Sequence, residues 1–341
     1  MRRCGCEGDA RPAWNRPETV APSRPGGRLT RFSSMSHARE QASRGADPYD
    51  LDDPDAYRRW RDWKLAVAPA DAGELVVEVR DPTALSPAEH AAILERCRRC
   101  NIAVIAGPGH RQERQMAHRL GTQLGLHNLD ANWLADEDGV STLTAGAQLD
   151  RREFIPYTDR PMRWHSDGYY NPPERRIAAM MLCCLERAES GGGNRLLDHE
   201  IAYILLRDSD PRFVQALSAA DAMLIPERDE ARGEQAGPVF SRFGAGSDLH
   251  MRYTARTRSI AWREDSVTQA AVAELTRVLD AAGAHVYSLL LEPGMAIVCN
   301  NVLHERDRFV DSGARRRVVL RARYLDRIRG TEASWRGAFC V

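Results

Sequence analysis

From about Val140 to Leu325 the apolar residues fall in short runs broken by Pro and Gly, and only two stretches, Asp198 to Leu217 and Ser266 to Ala282, have the length and texture of helices. Short apolar runs bounded by turn residues read as strands. Many short strands with a few inserted helices imply an α+β chain, a β-sandwich or jelly roll carrying helical cover. No internal repeat, P-loop or GxGxxG interrupts the pattern. Upstream, Ser86 is an N-cap followed by Pro87 and Glu89, which opens a helix to about Cys100. Leu75 to Val79 and Ile102 to Ile105 read as strands, and Arg111 to Leu124 as a second helix. Asp47 to Leu65 reads as a capped amphipathic helix with Tyr57, Trp60 and Trp63 on one stripe.

Residues 1–47 are rich in Arg, Pro, Gly and Ser without apolar periodicity. Such a segment cannot offset its ordering entropy and is expected to be a disordered tail, with Met35 as an alternative start. A single domain is expected over 48–330, with a C-terminal tail over 331–341. The 48 basic residues cancel the 48 acidic ones, which removes the electrostatic footprint of a nucleic-acid or anionic-membrane binder. The chain has no run of eighteen apolar residues for a transmembrane helix, and no apolar segment follows Arg2 and Arg3 as a secretory signal requires. Eight cysteines are too few for a disulfide scaffold at this length, so a cytoplasmic protein is expected. Cys97 and Cys100 form a lone CxxC in a charged helical stretch, which reads as plain helix.

The chemistry concentrates in Arg163-Trp164-His165-Ser166-Asp167-Gly168. Side chains alternate along a strand, so His165 and Asp167 point to one side and can grip one ion. Imidazole plus carboxylate is the donor pair of a non-haem ferrous site, which needs one further histidine. His304 is placed for that role: it ends Asn300-Asn301-Val302-Leu303-His304, directly after the apolar strand Met295 to Cys299. Thirteen residues later, Arg317-Val318-Val319-Leu320-Arg321 puts Arg317 and Arg321 on one face. Inward arginines are costly unless they meet an anion, either an internal carboxylate or a ligand.

Taken in order, WHSDG (from Trp164), GGGN (from Gly191), NNVLHER (from Asn300) and RVVLR (from Arg317) resemble the TauD/TfdA superfamily of Fe(II)/2-oxoglutarate-dependent dioxygenases, over about residues 75 to 328. The resemblance implies a jelly-roll core, the clavaminate synthase-like double-stranded β-helix. It implies that His165, Asp167 and His304 bind Fe(II) and that Arg317, rather than the neighbouring Arg315 or Arg316, holds the distal carboxylate of 2-oxoglutarate. Arg321 falls where a relative's second arginine meets the anionic group of its substrate. The implied reaction consumes O2, releases succinate and CO2, and inserts oxygen into a C–H bond. Related halogenases replace the metal carboxylate with a small residue, so Asp167 points to hydroxylation or a related oxidation. Where relatives carry a threonine that helps bind 2-oxoglutarate, this chain has Arg195, a candidate second partner for that carboxylate.

The same site also serves desaturation or cyclisation, and the same fold serves as a non-catalytic metal- or ligand-binding module. For the substrate, His250, Arg252, Thr254, Arg256 and Arg258 share one face if their segment is a strand. A cationic wall of that kind favours a small anionic organic acid. Tyr157, Thr158, Tyr169 and Tyr170 flank the metal motif and are candidates for the mouth of the site. Association into homo-oligomers is common in such proteins, although no stretch of this sequence marks an interface. Asp198-His199-Glu200 resembles a ligand cluster but opens a helix with Asp198 as its N-cap.

Overall fold

Alternation along the longest strands decides the architecture. In Val318–Tyr324, Val319 packs into one apolar cluster with Met180, Leu182 and Leu196. Leu320, Ala322 and Tyr324 pack into another, with Met116 and Leu120. A strand whose two sets of side chains enter different cores lies in a sheet covered on both faces. The computed structural model describes residues 47–332, except 109–113, 131–135, 137, 147–153, 228–232, 245–247 and 257–259. Residues 1–46 and 333–341, and with them Met35 and nearly all of both expected tails, lie outside the described residues.

The larger sheet comprises Val76–Glu78 (β1), Ile102–Ala106 (β2), Ser141–Leu143 (β3), Ala179–Glu186 (β5), Met295–Cys299 (β8) and Val318–Tyr324 (β10). The smaller comprises Met162–His165 (β4), Asn194–Leu197 (β6), Tyr287–Leu289 (β7) and Leu303–Arg306 (β9). Their spatial orders are β1-β2-β8-β5-β10-β3 and β7-β6-β9-β4. Only β1 and β2 run parallel; the remaining pairs are antiparallel. Ile102, Val104, Met180, Leu182, Ile297 and Val319 of the larger sheet meet Leu196 and Tyr287 of the smaller in one cluster, so the two sheets face each other across it. This is the jelly-roll sandwich with helical cover.

Among the described residues, six helices cover the outer faces: Pro54–Val67 (α1), Pro87–Cys100 (α2), Arg114–Gln123 (α3), His199–Ser209 (α4), Pro211–Leu217 (α5) and Ser266–Ala281 (α6). Ile93, Leu94 and Cys97 of α2, with Met116, Ala117 and Leu120 of α3, seal the larger sheet. Trp60 of α1, Ile201 and Ile204 of α4, Val214 of α5 and Leu275 of α6 seal the smaller one against Trp164, Leu197 and Leu303. Ser86 and Glu89 form the reciprocal capping box that starts α2. Two boundaries differ from the sequence reading. α1 begins at Pro54 under an Asp53 cap, not at Asp47. The helix expected from Asp198 to Leu217 is two helices, because Pro211 disfavours helical backbone at Asp210, which instead is extended (φ −163°) and caps α5. Among the described residues no helix is long and apolar enough to cross a membrane.

Candidate metal centre and its surroundings

In β4, Trp164 enters the helix-covered cluster, so its neighbour His165 faces the interior between the sheets. In β9, Leu303 goes outward and His304 inward by the same alternation. The antiparallel register sets His304 directly opposite both His165 on β4 and Leu196 on β6. The two imidazoles thus stand 4.1 Å apart, centroid to centroid, at 47°. Each Nδ1 lies against the backbone carbonyl two residues back: Arg163 for His165 at 2.8 Å, Val302 for His304 at 3.0 Å. A carbonyl only accepts, so Nδ1 carries the proton and Nε2 is left with a lone pair.

Two residues beyond His165, Asp167 completes the cluster. One ligand atom from each of His165, Asp167 and His304 lies within 4.8 Å of the others. His165 Nε2 and Asp167 Oδ2 are both buried without a hydrogen-bond partner. Two imidazoles and a carboxylate converging on one point suit a ferrous ion with open positions. The electrostatics prepare the same protonation states a metal requires. Burial, then the adjacent His304, bring His165 down to about 3, and burial lowers His304 as well. Burial alone would raise the Asp167 carboxyl, but the Arg321 and Arg323 guanidiniums hold it well below the ordinary carboxylate range.

The backbone around Asp167 is clamped by residues whose roles the sequence did not disclose. Gly168 has φ +68°, and a Cβ there would sit 2.3 Å from Ile177 Cγ1, so the turn requires glycine. Asn301, also left-handed at φ 50°, accepts from the Asp167 N–H at 2.8 Å and donates to the Asp167 carbonyl at 3.0 Å and the Ile177 carbonyl at 2.8 Å. The strand-like segment after β4 is flanked by Thr254, which bridges to His165 and so shares its face. The Thr254 hydroxyl is buried without a partner.

The arginines separate by what they touch. Arg317 is 6% exposed, its ζ-carbon 5.3 Å from the Phe309 ring centre, and it makes no ion pair with a described residue. Arg321 donates through Nη1 to Asp167 Oδ1 at 3.2 Å, while its Nε is buried and unpartnered. Arg323, next inward along β10, donates to Asp130 Oδ2 at 2.6 Å and to the Tyr170 hydroxyl at 2.8 Å; Arg175 also pairs with Asp130. This second carboxylate–guanidinium group ties the segment after the metal motif to β10.

Three expected site residues are placed elsewhere. Arg195 pairs with Glu305, directly opposite it, one position off the Leu196–His304 pair. That parity turns it away from His304, over the outward Trp164 ring at 5.5 Å, and it does not join Arg317. Tyr157, 1% exposed, packs in the inter-sheet cluster with Leu143 and Leu182. Arg252 donates to the backbone carbonyls of Tyr169 and Gln235 at 2.6 and 2.7 Å, so it serves the chain's own backbone. Arg256 is half-buried, and Arg258 lies outside the described residues. His199 is buried against the Leu249 carbonyl at 3.1 Å, behind the Asp198 cap of α4. Cys97 and Cys100 are buried free thiols in the α2 packing face, where burial pushes Cys100 up to about 12.

No curated protein matches this chain significantly. Solved structures of similar fold include an asparagine oxygenase in complex with Fe(II), 2S,3S-3-hydroxyasparagine and succinate, at 17% identity, with 81% of this chain and 92% of that chain covered and a TM-score of 0.51. The non-heme iron oxygenase OrfP in complex with Fe, succinate and (3S)-hydroxy-L-Arg follows at 16% identity, 80% and 92% coverage and TM-score 0.50. AAD-2 in complex with Mn(II) and N-oxalylglycine is similar at 14% identity, 75% and 95% coverage and TM-score 0.53. At such identities the likeness is one of fold. The family described as taurine catabolism dioxygenase TauD, TfdA family matches residues 65–323, a span that contains the metal cluster and all of the sandwich but the last residue of β10. This chain therefore belongs to the TauD/TfdA dioxygenase family.

Proposed function

We propose that this protein is a cytoplasmic Fe(II)- and 2-oxoglutarate-dependent dioxygenase, with its catalytic domain over residues 48–330, that hydroxylates a small anionic organic acid and releases succinate and CO2. The observation that carries the reading is the buried convergence of His165, Asp167 and His304, with His165 Nε2 and Asp167 Oδ2 unpartnered, in the interior of the sandwich. His165, Asp167 and His304 would hold ferrous iron, whose chemistry would be the oxidative decarboxylation of the 2-oxo acid with dioxygen, one oxygen atom ending in succinate and the other in the product. The protein's share is placement and dryness. The carbonyl bonds of Arg163 and Val302 fix the imidazole tautomers, and Asn301 fixes the Asp167 backbone. The apolar inter-sheet cluster excludes bulk water beside them.

Arg317 is assigned to the distal carboxylate of 2-oxoglutarate, because a buried guanidinium without a carboxylate partner favours a ligand anion. Arg321 carries two tasks. Nη1 holds one oxygen of Asp167, and the unpartnered Nε remains for the anionic group of the substrate. The ligands of asparagine oxygenase and OrfP, a hydroxyasparagine and a hydroxyarginine, are not net anions but each carries a carboxylate of the kind such a guanidinium could meet. Replacing Arg321 with alanine is expected to weaken metal binding by on the order of 10- to 100-fold, as for other partners of a metal ligand. It should also weaken substrate binding while uncoupled 2-oxoglutarate consumption persists at saturating metal. Calorimetric Mn(II) titration checks the first effect; an unchanged affinity means Asp167 is oriented without Arg321.

The test of the reaction is anaerobic loading with Fe(II) and 2-oxoglutarate, followed by an aerobic screen of small acids for succinate. Succinate formation stimulated by an acid, with a product heavier by one oxygen atom, supports hydroxylation. A product lighter by two hydrogens assigns desaturation or cyclisation to the same site. Absence of succinate with every acid, in a protein that binds metal and 2-oxoglutarate, leaves a ligand-binding module.

A further inference from the structure

We propose that Arg306 is a second guanidinium for the distal carboxylate of the 2-oxo acid co-substrate, acting beside Arg317; this rests on the site reading given above. The turn that precedes β6 supplies no partner there, since Arg195 faces the opposite side of the smaller sheet and pairs with Glu305. Arg306 ends β9, two residues beyond His304, and is 5% exposed. Its ζ-carbon lies 4.9 Å from the Phe309 ring centre, and that of Arg317 lies 5.3 Å from the same centre. Neither guanidinium makes an ion pair with a described residue.

Two buried cations against one aromatic ring, eased only by the nearby Asp159 and Asp311 carboxylates and paired with neither, are unfavourable unless an anion enters. Arg306 is also held in place. Nη2 donates to the Thr158 carbonyl at 2.9 Å and to the Arg160 carbonyl, while the buried Nε has no partner. A planar guanidinium anchored through Nη2, with Nε still unpartnered, loses little freedom when a carboxylate reaches it. Gly192, with φ +78°, lies beside the pair, where a Cβ would be in van der Waals contact with Phe309 Cβ at 3.4 Å and Arg317 Nε at 3.5 Å.

The competing role for Arg306 is that of a tether, tying the segment through Thr158 and Arg160 to β9. Ligand truncation separates the two roles without turnover. The probes are N-oxalylglycine, which carries a distal carboxylate, and oxalate, which keeps only the chelating end. Each is titrated calorimetrically into the full-length Mn(II)-loaded protein. Arg306→Gln is expected to bind N-oxalylglycine on the order of 10- to 100-fold more weakly, the scale of one charged hydrogen bond. Oxalate affinity should be unchanged, and Arg306→Lys should recover part of the loss. Equal weakening of both probes, or of neither, overturns the proposal in favour of the tether. Arg317→Gln serves as the reference. If it too leaves N-oxalylglycine binding intact, the assignment of the whole anion pocket fails; if it alone is selective, only the role of Arg306 fails.

Discussion

Replacing His304 with alanine is expected to abolish Fe(II)-dependent turnover and to lower metal affinity by more than about 100-fold, beyond the usual effect of losing an outer partner of a ligand. The reason is the count of donors. His304 supplies one of only two imidazoles in the cluster, and among the described residues no other group of three His, Cys, Asp or Glu side chains is placed to hold an ion. The remaining His165 and Asp167 cannot define a face of the coordination sphere by themselves. The substitution should leave the metal-free fold largely intact. His304 faces the interior between the sheets and belongs to none of the apolar clusters, and burial already disfavours its charged form. The distinguishing readout is therefore the melting temperature with and without Mn(II). Metal at about 100 times its Kd stabilises the folded wild type by about 2.7 kcal/mol, and the variant should gain close to nothing. A His304→Ala protein whose melting point still rises with Mn(II) as in the wild type would remove the metal assignment. His165→Ala should behave alike.

The parts of this site that could be read from the sequence are those set by parity within one strand. His165 faces inward because Trp164, directly before it in β4, takes the other side, and Asp167 meets it from the turn that follows the strand. Arg321 and Arg323 face inward for the same reason, with Leu320 and Ala322 outward. Relations between strands were not legible. Arg195 occupies a suggestive slot along the chain, yet whether it faces the metal depends on pairing with β9, and a register differing by one residue would have reversed the answer. Asp130 meets Arg323 across 193 positions, and no local pattern announces such a pair. Asn301 is a different kind of miss. Its left-handed backbone and double clamp on Asp167 follow from a tight turn after β8, for which Asn is well suited, but a polar pair before a histidine does not by itself specify that geometry. The break between α4 and α5 is legible in Asp210-Pro211, although the apolar pattern runs on across it.

The only lysine of the chain, Lys64, is expected to be among its most sensitive positions although it lies outside the metal centre. Lys64 is 0% exposed on α1, its Nζ 2.7 Å from Asp198 Oδ2 and bonded also to Glu200. The carboxylates have further duties. Asp198 caps α4 and accepts from Asn101 Nδ2 at 3.0 Å, and Glu200 accepts from the Tyr49 hydroxyl at 3.0 Å. Asn101 in turn accepts from Asn300 Nδ2 at 3.0 Å, so the network runs from α1 to the turn that carries Asn301. Burial alone would raise the Glu200 carboxyl; the Lys64 ammonium overrides it and brings Glu200 to about 2. Lys64→Met keeps the packing but strands two buried carboxylates, which typically costs about 3–5 kcal/mol. That is a large part of a total stability of about 5–15 kcal/mol, and urea denaturation at neutral pH should show it as a lower midpoint. Adding Glu200→Gln should recover part of the loss, because a neutral amide still accepts from Tyr49. The pH dependence fixes the cause. In the wild type the Glu200 contribution is complete above its ordinary value of 4.5 and fades as pH falls toward about 2. Without Lys64, burial holds that carboxyl above 4.5, so acidification relieves the variant before it weakens the wild type. The stability gap between them should therefore narrow steadily from pH 7 to pH 4. A gap that stays constant with pH, or a Lys64→Met protein as stable as the wild type, would show that the buried ion network makes no net contribution to holding α1 and α4 together.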